Sequence, residues 1–256
     1  MTKITGTLVL TALVLCSPTL KAQEFRTPVP AGATITLLDF PGNLPIEGYS
    51  GTDIVITGTE PVETPERAKG LKPIYPGGED NTGQGIALDK NGDQVTLRYL
   101  LPITRGDKHY KIKVPETAYL KIKSGCERHT DLTLSNLKGE IDLDVCASVK
   151  LKNVTGPLVV STINGSVDVT FTTVSKDKPI SIATINGEID VTLPAATPAN
   201  IEMSNINGTM YSDFDFHTDD KNLKRIGGSS VKTQINGGGV DIKLHTINGN
   251  IYLRKG

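Results

Sequence analysis

Ile163-Asn164-Gly165-Ser166-Val167-Asp168-Val169 is repeated, 22 positions later, as Ile185-Asn186-Gly187-Glu188-Ile189-Asp190-Val191. A third copy opens at Ile206-Asn207-Gly208. Ile235-Asn236-Gly237 and Ile247-Asn248-Gly249 carry the motif on, followed by Val240-Asp241-Ile242 and Ile251-Tyr252-Leu253. Degenerate copies precede them at Gly139-Glu140-Ile141-Asp142-Leu143 and at Val154-Thr155-Gly156 before Leu158-Val159-Val160. A fixed period of this kind is the signature of stacked units. Asn-Gly tolerates positive φ and so bends the chain at little steric cost. The triplet that follows alternates apolar and polar residues, which puts two aliphatic side chains on one face of a strand and one polar side chain on the other. A single such strand has nothing to bury its apolar face against. Stacking coils about 4.8 Å apart would bury columns of Ile, Val and Leu and would let Asn164, Asn186 and Asn207 bond one another as a ladder. The expected fold is therefore all-β, a single-stranded β-solenoid resembling a β-helix, with structural turns at Asn164-Gly165, Asn186-Gly187, Asn207-Gly208, Asn236-Gly237 and Asn248-Gly249. A series of antiparallel hairpins is the alternative that the same Asn-Gly pairs allow.

Upstream the pattern is less regular but still strand-like. Thr34-Ile35-Thr36-Leu37, Asp53-Ile54-Val55-Ile56 and Gln94-Val95-Thr96-Leu97-Arg98 read as strands, with a turn at Lys90-Asn91-Gly92-Asp93. Lys111 to Pro115 and Tyr119 to Lys123 alternate basic and apolar residues, as strands with one solvated face do. A basic binding patch is the sharper alternative. Between the strands the Pro- and Gly-rich segment 61–85 reads as a long loop, with at most a tiny helix after Thr64-Pro65.

The first residues are Met1-Thr2-Lys3 and then the apolar run Ile4 to Leu15, which has the length of a secretory h-region and is too short to span a bilayer. Residues 1–23 are read as a signal peptide cleaved after Ala22 or Gln23. Lipidation at Cys16 is the rival reading. Residues 24–256 form the mature domain, irregular over 24–125 and repetitive over 126–256, with no further segment apolar enough for a membrane helix. Lys3 and Lys21 lie in the leader, which leaves 25 of the 27 basic residues against all 28 acidic ones. Such a balance gives no attraction to nucleic acid. Cys126 and Cys146 remain; in an oxidising compartment they suggest a disulfide, and a pair of buried thiols is the alternative.

Leu44-Pro45-Ile46-Glu47-Gly48-Tyr49, the loop residues Glu66 to Pro73 and Gly78 to Gly83, and the Ile-Asn-Gly units together resemble the putative adhesin family, a bacterial extracytoplasmic domain frequent in Bacteroidetes. The resemblance spans nearly the whole mature chain. It implies a β-solenoid and a location in the periplasm, on the outer membrane surface or outside the cell. It carries over no catalytic residue.

A search for catalytic or metal-binding constellations assigns none. His109, His129, His217 and His245 are dispersed, without an HExxH pair or a Cys-His cluster. Gln94 and Leu100 occupy positions of a calcium loop that require Gly and Glu, and no serine lies in a G-x-S-x-G elbow. No cofactor is expected. Two features invite a binding role. Asp142, Asp168, Asp190 and Asp241, outward in their triplets, form a possible acidic stripe. In the insertion 211–230, Tyr211, Phe214, Phe216 and His217 interleave with Asp213, Asp215, Asp219 and Asp220; Tyr211, Phe214, His217 and Asp219 are the candidate binding residues. The favoured function is a non-enzymatic envelope or surface protein, an adhesin or scaffold with an unknown partner. A specific glycan-binding module comes next, and a polysaccharide lyase or hydrolase last.

Overall fold

Alternation decides which way each strand faces, and the buried sets follow it. In Val167–Phe171, Val167, Val169 and Phe171 are buried while Asp168 and Thr170 are exposed. The computed structural model describes residues 23–58, 65–102, 109–127, 131–176, 178–216 and 228–256. Within them lie one 3-10 turn, Glu66–Ala68, and twenty strands. In chain order these are β1 (Gln23–Pro28), β2 (Thr34–Leu38), β3 (Leu44–Tyr49), β4 (Asp53–Gly58), β5 (Ile86–Asn91), β6 (Gln94–Tyr99) and β7 (Tyr110–Pro115). β8 (Tyr119–Lys123), β9 (Leu132–Ser135), β10 (Ile141–Val145), β11 (Val149–Val154), β12 (Leu158–Asn164), β13 (Val167–Phe171) and β14 (Ile180–Asn186) follow. The last six are β15 (Ile189–Leu193), β16 (Ala199–Asn207), β17 (Met210–Ser212), β18 (Ser229–Ile235), β19 (Val240–Asn248) and β20 (Ile251–Lys255). Residues 1–22 of the expected signal peptide, with Cys16 among them, and Thr64 lie outside the described residues.

The strands form two ten-stranded sheets. The first runs β1-β4-β7-β3-β9-β11-β13-β15-β20-β17 and the second β18-β16-β19-β14-β12-β10-β8-β2-β6-β5. From β8 to β17 every successive strand changes sheet, so one repeat contributes a strand to each. Pairing is parallel through this region but antiparallel for β1 with β4, β4 with β7, β5 with β6 and β16 with β18. The sheets are thus mixed, not the uniform stack of single strands expected from the repeat. Aliphatic side chains from both inner faces fill the space between them; Ile182, Ile189, Val191, Ile242 and Leu253 are fully buried. Each contributes about 1.5–3 kcal/mol relative to exposure. Strands from both halves of the chain share the sheets, β3 pairing with β9 and β8 with β10.

The spatial order departs from the sequence order at the C-terminus. β19 lies between β14 and β16, and β20 between β15 and β17. The asparagine ladder follows space: Asn186 Nδ2 donates to Asn164 Oδ1 at 2.8 Å, Asn248 Nδ2 to Asn186 Oδ1 at 2.7 Å, and Asn207 Nδ2 to Asn248 Oδ1 at 2.8 Å. Asn186 and Asn207 therefore do not meet. Inside this column the hydroxyls of buried Thr162, Thr184 and Thr246 donate to the carbonyls of Ala147, Gly165 and Gly187. Outside it Ile163, Ile185 and Ile206 stand roughly half exposed. At the head of the ladder Cys146 holds the place of an asparagine, with Asn164 Nδ2 3.8 Å from its sulfur. Cys146 is bonded to Cys126 with their Cα atoms 4.8 Å apart, so a disulfide extends the ladder beyond Asn164.

Positive φ, the reason read from the sequence for the glycines at this corner, holds at Gly208 (150°) and Gly249 (155°) but not at Gly165 and Gly187. A Cβ on Gly187 would instead stand 2.1 Å from the Gly165 carbonyl oxygen of the neighbouring turn. Close approach of stacked backbones excludes the side chain. Gly156 makes the same approach to Gly139, and Gly139 to Ala118, but these glycines precede strands of the second sheet and so line the opposite corner. Asn236-Gly237 is not a coil corner either. Asn236, at φ 50°, donates to the carbonyls of Ala195 and Thr197 and fixes the turn by which the chain passes from β18, on one side of β16, to β19 on the other.

Candidate binding face

The outward positions of neighbouring strands align as well as the inward ones. On the first sheet one outward row runs Lys150, Asp168, Asp190, Tyr252, Tyr211. The acidic stripe expected from the triplets is broken up: Asp142 and Asp241 belong to the second sheet, and Asp168 and Asp190 are the pair that stand side by side. Like charges in register repel. Here each has a counter-ion, Lys150 at 4.0 Å from Asp168 and Arg254 in a two-pronged contact with Asp190 at 2.8 and 2.9 Å. The hydrogen bond to Asp190 raises the pKa of Arg254 above its ordinary value.

Where the row reaches the C-terminal end of the sheet, it turns aromatic. The rings of Tyr211 and Tyr252 stack 5.3 Å apart and 9° from parallel. The Arg254 guanidinium lies 5.3 Å from the Tyr252 ring centre. Asn250 Nδ2 donates to Glu188 Oε1 at 3.0 Å, and the Tyr252 hydroxyl donates to the same oxygen at 3.4 Å. Tyr252 is thus clamped between neighbours, whereas Tyr211, on the edge strand, is 51% exposed. The result is an aromatic surface bordered by an acid, an amide and a guanidinium that contact one another or its rings.

Of the four candidate binding residues, Tyr211 lies on this face. Phe214 does not: it is buried at the end of the core, with Lys255 Nζ 5.4 Å from its ring centre. Burial of its apolar ring outweighs display, as the alternation of Phe214 with Asp213 and Asp215 permits. His217 and Asp219 lie outside the described residues, as do Asp220 and His129. Tyr252, Arg254, Glu188 and Asn250, which lie around Tyr211 on this face, are not among the candidates read from the sequence. The signal for Tyr252 was present, since it fills the outward middle position of Ile251-Tyr252-Leu253 where Val167-Asp168-Val169 and Ile189-Asp190-Val191 place an aspartate.

The loop segment 61–85 is organised from within, over its described part. The Asp80 carboxylate accepts from the backbone N–H groups of Thr82, Gly83 and Gly85 and from the Thr82 hydroxyl. A cavity of about 810 Å³ lies between this loop and the sheet, lined by Tyr75, Pro76, Arg98, Leu100 and Leu101 among others. Beneath it the Tyr110 hydroxyl donates to Gln84 O at 2.7 Å, and burial pushes that phenol above its ordinary range. His245 Nδ1 lies 2.9 Å from Ser204 Oγ as a cross-strand pair on the open outer face of the second sheet. Among the described residues no group of three or more His, Cys, Asp or Glu side chains is placed to hold a metal ion, and no helix is long and apolar enough to cross a membrane.

No family model and no curated protein matches the chain. Among solved structures, it is similar to a putative cell adhesion protein from Clostridium sporogenes ATCC 15579, with 15% identity, a TM-score of 0.48, and coverage of 92% of this chain and 100% of that one. It is also similar to a putative adhesin from Bacteroides fragilis NCTC 9343, with 12% identity, a TM-score of 0.43, and coverage of 93% and 98%.

Proposed function

We propose that this chain is a non-enzymatic cell-envelope or surface protein, an adhesin or scaffold module, that holds its partner against the outer face of the first sheet around Tyr211 and Tyr252. The observation that carries the reading is the half-exposed Tyr211, stacked on a clamped Tyr252 and bordered by side chains that already satisfy one another. An aromatic surface fixed before binding loses little entropy when a partner is ordered against it. The polar groups point to contact rather than to chemistry, because Asp190 is engaged by Arg254 and Glu188 by Asn250 and Tyr252. Passage of the chain from sheet to sheet with each strand supports reading the middle of the molecule as a two-sided β-solenoid, stiff along its length. Export of residues 24–256 behind a signal peptide 1–23, to the periplasm, the outer membrane surface or the exterior, is supported by the Cys126–Cys146 disulfide, which suits an oxidising compartment.

A glycan is the second reading of the partner. Sugar rings present flat C–H faces that pack on aromatic rings, and their hydroxyls suit fixed acids, amides and guanidinium groups. A glycan screen with the purified protein tests it against Tyr211→Ala: a glycan ligand predicts binding that this substitution removes. A protein partner predicts an empty screen and a pull-down from the native envelope that Tyr211→Ala weakens.

A further inference from the structure

An edge strand leaves a row of N–H and C=O groups without partners, and monomeric β proteins cover or interrupt such rows. Three of the four sheet edges here carry such a device. Along β5 the Asn81 amide donates to Leu88 O and accepts from Leu88 N, both at 2.8 Å, and the Thr82 hydroxyl donates to Ile86 O at 3.0 Å. β1 ends in Pro28, whose carbonyl accepts from Lys90 Nζ at 2.7 Å. β17 has only three residues, and the chain beyond it is tied down by Asp213, which accepts from Lys255 N at 2.8 Å.

β18 differs on each count. It is seven residues long, and among the described residues no backbone hydrogen bond reaches residues 229–234 from the side away from β16. Its core-facing Val231 and Thr233 remain partly exposed, although the β16 residues opposite them, Met203 and Ile201, are buried. A groove of about 700 Å³ runs past Thr233 to Gly237, with Phe214, Asp215 and Lys255 on its other side. Lys232, the charge that would ordinarily guard this edge, is drawn back over its own sheet by Glu202 at 2.9 Å.

We propose that β18 pairs antiparallel with β18 of a second copy of this chain, about a two-fold axis at Thr233. That register is self-complementary. Val231 then faces Ile235 of the second copy on the core side, and Lys232 faces Gln234 on the solvent side, so no like charges meet. The strand spans about 23 Å at roughly 3.3 Å per residue, and its pairing joins the two second sheets into one. The incoming Val231 enters the groove beside Phe214, where it completes the burial that the single chain leaves unfinished.

Sedimentation velocity of the purified protein over a range of concentrations tests the pairing. The expected result is a reversible monomer–dimer equilibrium that Val231→Lys shifts to monomer while the circular-dichroism spectrum is unchanged. Thr233→Cys is expected to give a disulfide-linked dimer on mild oxidation, because the native cysteines are bonded to each other, whereas Ser181→Cys at the middle of the same sheet is not. Should Val231→Lys fail to fold, the Thr233→Cys cross-link decides. A wild-type monomer at every concentration overturns the proposal, as does a dimer that forms no Thr233→Cys cross-link. A monomer whose β18 amides become protected from hydrogen exchange only on adding a foreign extended peptide also overturns it.

Discussion

Gly187→Ala adds one methyl group to the corner of a coil, and the structure sets what it costs. The new Cβ would lie 2.1 Å from Gly165 O, 2.5 Å from Gly165 C and 3.0 Å from Ser166 N, whereas such contacts essentially never fall below 3.0 Å. The atoms that must yield are backbone, so the two coils have to separate at the corner. Three of the hydrogen bonds that join those coils there flank the new methyl group: Gly165 N to Asn186 O at 2.9 Å, Asn186 Nδ2 to Asn164 Oδ1 at 2.8 Å, and Thr184 Oγ1 to Gly165 O at 3.0 Å. At about 1 kcal/mol each, their loss destabilises the protein by roughly 3 kcal/mol. In a domain of this size that lowers the melting temperature by roughly 6–12 °C. Gly92→Ala is the control, because Gly92 has φ +62° but nothing within 4 Å of its would-be Cβ. Its cost is the left-handed backbone alone, about 1 kcal/mol. Thermal melts of the two variants decide between causes: if Gly92→Ala is as damaging as Gly187→Ala, positive φ and not backbone contact governs these glycines, and the reasoning fails.

Three further outcomes are expected. Asn248→Ala breaks both ladder bonds of an interior rung and should cost roughly 1–2 kcal/mol in urea unfolding, about twice the cost of Asn207→Ala at the end of the ladder; the reverse order would contradict the placement of β19 between β14 and β16. Replacing Cys126 and Cys146 by alanine should cost about 3 kcal/mol, the entropy of closing a loop of this length, and thiol titration of the unfolded, unreduced wild type should find neither cysteine free. Protein recovered from its native envelope should show by intact mass the loss of the first 22 or 23 residues without an added acyl chain; lipid retained on Cys16 would replace the signal-peptide reading.

The local unit was legible in the sequence because it is set by local chemistry. Alternation in Val167-Asp168-Val169 gives the facing of β13, and Asn-Gly marks the corners at Gly165, Gly187, Gly208 and Gly249. The order of the coils was not legible, since every rung offers the same amide to its neighbours and sequence spacing does not say which coils stack. One clue was present: Thr precedes Ile-Asn-Gly at Thr162, Thr184 and Thr246, but Asn205 stands there in the coil that ends the stack. In the first three the hydroxyl reaches a neighbouring carbonyl, while the side-chain amide of buried Asn205 has no hydrogen-bond partner among the described residues. The mixed pairing at the ends of the sheets was hidden for a different reason, because strands such as β4 and β18 alternate like any other and their direction depends on how the intervening chain returns. At the candidate face, Tyr211 was legible as an exposed aromatic, but its partner Tyr252 lies 41 positions away and meets it only through the insertion of β20.

The proposed function is tested most directly by incubating the protein with isolated native envelope polysaccharide and protein fractions, and measuring both retention and the release of new reducing ends or peptide termini. The account predicts retention by wild type, loss of that retention in Tyr211→Ala with an unchanged melting temperature, and no new termini over time; protein-dependent depolymerisation, or retention indifferent to Tyr211, would contradict it.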